Sequence, residues 1–580
     1  MYKMQRMLLA LLTCLCSTTL FAQIDVKIDI KGIDKLQEDN VRLFLSIEQQ
    51  KNHALMSEGR LRRLHQKAPQ EISKALQPFG YYRPVIDAQL TQPGPDSWLV
   101  SYSINPGPPL PVARFDFSVT GEMSKDPAFA SLVKSLPLNQ GAEFNHLSYE
   151  SIKANLAKLA AERGYFDAGF SEHRVEIDLK AYEARVILHY DSGPRYLFGE
   201  VTLHQDVLDA ELVHRYIPFE QGDPYTLNQV IELQQALNDS DYFNLVEVSP
   251  EAQLADSKEV PVNVILTPRK RHKYTLGLGY GTDTGARTKF GWEIPRLNQR
   301  GHRINSELKI SEIGYSISSQ YRVPVLNPRT DQIIYSAGIV NEETDTSIST
   351  IYTVGASLNR NHNTWRETLA LNYQQEEFEV ADDHGRSTLL MPGVNWSRIW
   401  GSRRIFLNLD GIRLDLGMRG ASDKIVSDTN FFQATAGIKA IHTLWPGGRL
   451  IGRGKLGSTW TDSFHQLPSS VRFFTGGSQS VRGFGYQTLG PVDDNGKVVG
   501  GKHLMIGSLE YEHRIKGKWS AALFFDRGNA IDAINDPLES GAGLGLRWQS
   551  PVGPIRFDYG WAISRDGNPW RFHINIGPDL

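Results

Sequence analysis

Cysteine is nearly absent: the 580 residues hold two, Cys14 and Cys16. Both lie in a stretch that reads as an export signal. Lys3 and Arg6 precede the mostly apolar Met7–Cys16, and Leu20-Phe21-Ala22 ends in a small residue suited to cleavage. Removal of a signal peptide at 1–22 leaves a mature chain with no disulfide and no thiol chemistry. Long apolar runs are also missing. After the N-terminus none approaches the ~18 residues of a spanning helix, which excludes a polytopic helical membrane protein. Charge of one sign is missing too: 62 basic residues face 65 acidic ones, for a formal net charge of -3. Such a balance gives no support for a nucleic-acid partner. HExxH, GxSxG and P-loop patterns do not occur, and the histidines and acids show no metal-ligand spacing. Gly452-x-Gly454-x-x-Gly457 matches a dinucleotide fingerprint, but it lies in an alternating strand and opens no helix. The expectation is therefore no enzyme, no cofactor and no metal.

What is present begins with a repeat. Three units, at 23–108, 109–192 and 193–268, share one pattern. Each opens on an alternating strand: Val26–Ile30, Phe115–Val119 and Phe198–Leu203. Helical stretches follow, such as Ser151–Glu162, with Ile152, Leu156, Leu159 and Ala160 on one face. An aromatic turn comes next (Gly80-Tyr81-Tyr82, Gly164-Tyr165-Phe166, Asp241-Tyr242-Phe243), and two more strands close the unit. Such a period means one supersecondary unit used three times, with helices covering one face of a small sheet.

After Pro268 helical periodicity stops. The basic run Arg269–Lys273 suits either a solvated linker or a membrane surface bearing anionic headgroups. Strict alternation follows. Tyr274, Leu276, Leu278 and Tyr280 alternate with Thr275, Gly277 and Gly279; Trp570, Phe572, Ile574 and Ile576 alternate with Arg571, His573 and Asn575. One face is apolar and aromatic, the other glycine or polar, as in transmembrane barrel strands. About sixteen such segments fit between Lys273 and Pro578. The fold class expected is three α+β repeats followed by an all-β 16-stranded transmembrane β-barrel at 269–580. An even strand count puts both barrel ends on the periplasmic side with the repeats. One connection, 461–501, is too long for a turn and is not low-complexity, which marks it as functional.

The motifs add a resemblance. The helix-covered repeats, with the Gly-Tyr-Phe turn before the second strand, resemble POTRA domains. Val481-Arg482-Gly483-Phe484 in the long connection resembles the VRGF/Y motif of the Omp85 superfamily. Ser508-Leu509-Glu510-Tyr511 resembles the acidic motif of its next strand, and Phe524-x-Asp526-x-Gly528 the FxDxG motif of the strand after. The resemblance implies that the loop folds into the lumen and that Arg482 meets the acidic groups. Alternation supports this independently: with Leu509, Leu523 and Phe525 facing lipid, Glu510 and Asp526 face the lumen, where one guanidinium bridges two carboxylates.

Within that superfamily, three POTRA units and the C-terminal Ile576–Leu580 resemble the translocation and assembly module branch. The resemblance implies an outer-membrane location in a Gram-negative cell, client outer-membrane proteins such as autotransporters, a large inner-membrane-anchored TamB-like partner, and contact with outer-membrane lipids. In the repeats it implies either sheet edges that accept a client strand or rigid spacers. A weak seam is expected between Tyr274, Leu276, Gly277, Leu278, Gly279 and Tyr280 of the first strand and Phe572, Ile574, Ile576 and Gly577 of the last. Glycine packs little there, and Pro578 cannot donate to a ladder. The seam either opens sideways or merely relieves curvature. The function expected is insertion and assembly of outer-membrane proteins. The alternative is a conduit, either a two-partner-secretion exporter of a soluble polypeptide or the outer end of a phospholipid-transfer bridge.

Overall fold

The structure, a computed structural model, describes residues 24–53, 56–252, 258–401, 410–551 and 553–577. The export-signal segment, both cysteines and residues 578–580 lie outside the described residues.

The repeats fold as three small sheets, each with its strands in the order first, third, second. In the first, Asp25–Lys31 runs parallel to Ser97–Asn105, which pairs antiparallel with Val85–Gly94. In the second, Val112–Thr120 runs parallel to Glu183–Asp191, which pairs with Gly169–Asp178. The third uses Leu197–His204, Phe243–Pro250 and Glu259–Pro268. Central strands alternate as their sequences require. Trp98, Val100, Tyr102 and Ile104 are buried under the helices of the first unit, and Ala184, Val186, Leu188 and Tyr190 under those of the second. The helices begin where short polar side chains cap them. Asp34 forms a capping box with Gln37, and Asn145 accepts from Leu147 N ahead of His146–Glu162. Ile152, Leu156 and Ala160 of that helix are buried and Leu159 packs beside them, the face that the spacing predicts.

By contacts the chain forms two compact units. One holds the first two repeats and parts of the third. The other holds the barrel with Thr202–Pro218 and Ile231–Ser249. Within this second unit, the Tyr242 hydroxyl donates to Gly301 O at 2.6 Å and the Arg303 guanidinium lies 4.2 Å from the Tyr242 ring centre. The aromatic turn of the third repeat therefore sits on a barrel turn. The basic run is partly absorbed here. Arg269 N donates to Tyr242 O, its side chain pairs with Asp241, and Lys273 pairs with Glu293 at 3.1 Å. Arg269 thus belongs to the third repeat instead of a free linker.

Sixteen strands, from Lys273–Gly281 to Trp570–Ile576, close into a barrel with each strand beside its sequence neighbour. Leu278, Leu456, Leu509, Leu523, Phe525 and Leu544 are exposed on the outer face, while Glu510, Asp526 and Asp558 are buried on the inner one. Closure leaves no lipid-facing backbone edge around most of the wall. Trp365–Val380 and Asp383–Gly401, at 16 and 19 residues, exceed the ~10 residues a span needs. Their excess forms a rim for the long connection, which runs from Thr461 to His503, within two residues of the boundaries read from alternation. Gly452, Gly454 and Gly457 lie on the strand Gly448–Thr461 and face no helix.

Candidate functional site: a locked loop tip beside a short seam

The long loop is fastened at two places. At its base, the Glu376 carboxylate is fully buried and accepts from Ser349, Ser469, the Ser470 amide and hydroxyl, and Gln374. Arg472, also buried, reaches Asp383 Oδ2 at 2.9 Å and donates to the carbonyls of His465, Leu467 and Val499. Leu467 and Val471 fill an apolar patch with Leu389, Met391 and Phe431. The alternation pattern did not single these residues out; a buried Glu among serines gives little signal in sequence.

At its tip, Arg482 is 2% exposed. Its Nε and Nη2 donate to the two Asp526 oxygens at 2.7 and 2.8 Å, and its backbone N donates to Oδ2 at 3.1 Å. Nη1 donates to Glu510 Oε2 at 2.7 Å. The guanidinium lies flat on Phe524, 3.5 Å from the ring centre. This is the fork-on-fork geometry only arginine offers. Arg453 and Arg547 also bind Glu510, at 2.9 and 2.8 Å, and Arg547 reaches Asp558 Oδ1 at 2.7 Å. Ser508 donates to Asp526 at 2.7 Å. The charges thus balance inside a wall that water barely reaches, which is what makes burying them tolerable. Alternation places Arg453, Arg547 and Asp558 on the inner face, but nothing in it says that they meet.

Close backbone approach seats the tip. Gly483 has φ +97°, and a Cβ there would lie 2.9 Å from Ala562 N. A Cβ on Gly541 would lie 1.9 Å from Arg482 O, so the loop lies flat against glycine on the facing strands. Val481 and Phe484 are buried with Leu489 and Ala562 on either side of the arginine. Gly528 lies where a Cβ would come 2.5 Å from Met505 O. Seven residues of the expected latch are therefore brought together, while Gly528 backs onto Met505 and Ile506 of the neighbouring strand.

The expected seam residues are arranged differently. The first strand pairs with the second from Lys273–Glu293 to Gly281–Gly285. With the last strand, among the described residues, it pairs at Tyr280–Ile576 and Gly281–Asn575. Barrel stagger causes this: the last strand sits higher than the first, so Ile574 O accepts from Thr282 N and Phe572 packs on Tyr559 instead of meeting Tyr274. Gly577 has φ +95°, its N donates to Pro554 O, and a Cβ there would lie 3.2 Å from Leu278 O on the first strand. Tyr274, Leu276, Leu278, Phe572 and the neighbouring Trp570 are exposed on the outer face, while Gly277 and Gly279 line the inner one beside them. Gly279 lies where a Cβ would come 2.8 Å from Ile576 O, so the two backbones touch at this point.

The architecture is a sixteen-stranded barrel with an inward loop pinned by arginine, following helix-covered three-stranded units. The family model described as the Omp85 superfamily domain matches residues 296–579. The chain is an Omp85-superfamily barrel with POTRA domains. The model described as POTRA domain TamA domain 1 matches 27–106, and a POTRA model described as surface antigen variable number repeat matches 196–269. The middle unit has the same sheet order as both. Among curated relatives, an outer membrane protein assembly factor BamA from Nitratidesulfovibrio vulgaris is 24% identical, over 95% of this chain and 72% of that protein. The BamA of Neisseria meningitidis serogroup B is 22% identical, over 79% of this chain and 66% of that protein. Among solved structures, BamA from Haemophilus ducreyi lacking POTRA domains 1–3 superposes with a TM-score of 0.65 at 16% identity, covering 80% of this chain and 99% of that one. That likeness concerns the fold.

Proposed function

We propose that this chain assembles outer-membrane proteins by offering the edge of its first barrel strand to an incoming strand. One observation carries the reading: among the described residues, which stop at Gly577, the ladder between first and last strands is two residue pairs long and Lys273–Leu278 has no ladder partner on the seam side. A strand edge with free N–H and C=O groups templates another strand. In a bilayer the need to pair those groups is stronger than in water, so a client strand that pairs there gains what the seam lacks. The curated relatives are named as assembly factors, which supports the same reading.

The setting follows from the architecture: barrel in the outer membrane of a Gram-negative cell, POTRA domains in the periplasm. At a finer level, we read the chain as a TamA-like subunit acting with a TamB-like inner-membrane-anchored partner on clients such as autotransporters. The match of the first unit to the TamA domain 1 model and the three-unit count support this.

The test uses the lipid-facing Leu278, 69% exposed, in a mature chain without cysteine. Leu278→Cys, crosslinked in intact cells and analysed by mass spectrometry, is expected to capture nascent outer-membrane proteins. Adducts arising only from a lumen position such as Lys455→Cys would replace strand templating with the conduit reading.

A further inference from the structure

We propose that the tip of the long loop is a clasp that holds the first barrel hairpin against the last strand, with Asp283 and His573 as its two jaws. Asp283 sits in the turn between Lys273–Gly281 and Gly285–Ile294. Its Oδ2 accepts from the Ser478 amide at 2.7 Å and from the Ser478 hydroxyl at 2.6 Å. His573 lies on the last strand, on the other side of the seam, and is 2% exposed. Its Nε2 accepts from Gly483 N at 3.0 Å, so the imidazole proton resides on Nδ1. Nδ1 faces Asp283 Oδ1 at 3.7 Å. The segment Ser478–Gly483 therefore bonds one residue from each side of the seam, and the two jaws face each other beneath it.

The clasp matters because the backbone does little here. Among the described residues the ladder is two pairs long, and Gly279 and Gly577 bring no side chains to pack. A carboxylate held by an amide and a hydroxyl is a charge-assisted contact, stronger than the neutral ladder bonds beside it. Two other side-chain ties cross the same seam: Arg287 reaches Asn575, and the Thr282 hydroxyl accepts from Ile574 N at 3.3 Å. Arg482 lies inside the same segment and is bolted to Asp526 and Glu510, on the strands three and four back from the last one. One short piece of loop thus joins three parts of the barrel: the first hairpin, the last strand and the acidic wall. Withdrawing the tip releases both jaws together. Loop withdrawal then frees the seam, and the loop is the element that controls access to the first-strand edge. The consequence for assembly rests on the strand-templating reading; the clasp itself does not.

The experiment measures seam separation without any client. Full-length protein carrying Leu278→Cys and Phe572→Cys, spin-labelled and reconstituted in lipid vesicles, reports the distance distribution across the seam. Asp283→Ala is expected to shift that distribution to longer and broader separations, while trypsin still fails to cut after Arg482, showing the arginine in place. Ser478→Ala, which removes one donor from the loop side, is expected to shift it in the same direction by less. It serves alone if Asp283→Ala does not insert. Unchanged distributions in the inserted variants would overturn the clasp. Because no client is present, that outcome leaves the Leu278→Cys crosslinking result to decide strand templating separately.

Discussion

Arg482 is the residue on which most of the site converges, and its loss is unevenly shared. Glu510 would keep Arg453 and Arg547, but Asp526, fully buried, would keep only the backbone N–H of residue 482 and the Ser508 hydroxyl among its described partners, and no charge. Leaving one partner of a buried ion pair behind costs about 3–5 kcal/mol. Arg482→Ala is expected to free the loop tip and to lower assembly activity more than it lowers barrel insertion, read by trypsin access to the loop and by heat-modifiable gel mobility. Arg482→Lys keeps the charge but loses the fork and the flat contact with Phe524, so it is expected to rescue little. In the second POTRA unit, Asp126 does comparable work in water. Burial opposes its ionisation, yet the Ala128 amide, the Arg163 guanidinium and the Tyr165 hydroxyl hold its pKa below the usual carboxylate value. A carboxyl whose pKa is lower when folded stabilises the fold above its unfolded value of about 3.9. That contribution fades as pH falls through the folded value. Hydrogen-exchange protection in the Val112–Asp191 segment of the full-length protein, taken relative to the intrinsic rate at each pH, is expected to fall below about pH 4. In Asp126→Asn that protection is expected to be lower already at pH 7, with little further change on acidification.

At the scale of elements, the long loop shows which features a sequence carries openly. Its length, its two ends and the order of its motifs were legible because alternation stops at Thr461 and resumes at His503. The inward side of Glu510 and Asp526 was legible because a strand's period of two fixes the face once one lipid-facing neighbour is known. The meeting of Asp558, Arg547 and Glu510 was not. It depends on register and stagger among strands that are dozens of residues apart, and the sequence states neither. The same stagger explains the seam. The expected seam named both Phe572 and Ile576, and the offset puts Ile576, not Phe572, beside the first strand. Glycines on the facing strands are the quiet half of the latch. Gly541→Ala adds one methyl, touches no charge, and places it 1.9 Å from Arg482 O. It is expected to release the loop tip much as Arg482→Ala does, with trypsin cutting after Arg482 in the folded barrel. Gly437→Ala, an inner-wall glycine with open space at its Cβ position, is the control expected to leave the loop protected.

For the whole molecule, charge is sorted by surface in a way the total conceals. The chain's formal net charge is -3. On the inner wall, however, positive groups prevail. Lys455 lies between the lipid-side Leu456 and Gly454, and the register aligns it with Gly437, beside Lys439 on the neighbouring strand. Arg366, Arg556 and Arg571 share the inner face by the same alternation. The acids nearby are already engaged: Asp415 by Arg413, Glu512 by Arg449, and Asp558 by Arg547. Fixed charge of one sign along a low-dielectric wall concentrates the opposite ion. The loop occupies part of this lumen, so the intact barrel is expected to conduct weakly. A barrel lacking 463–500, with a short glycine-serine link in its place, is expected to conduct more and to prefer chloride over potassium. In a planar bilayer with a potassium chloride gradient, the reversal potential gives that preference directly. Lys455→Glu with Arg366→Glu in the same background is expected to move the reversal potential toward cation selectivity. An unaltered reversal potential in that double variant would mean that the ions pass elsewhere, through the seam and not along the basic wall.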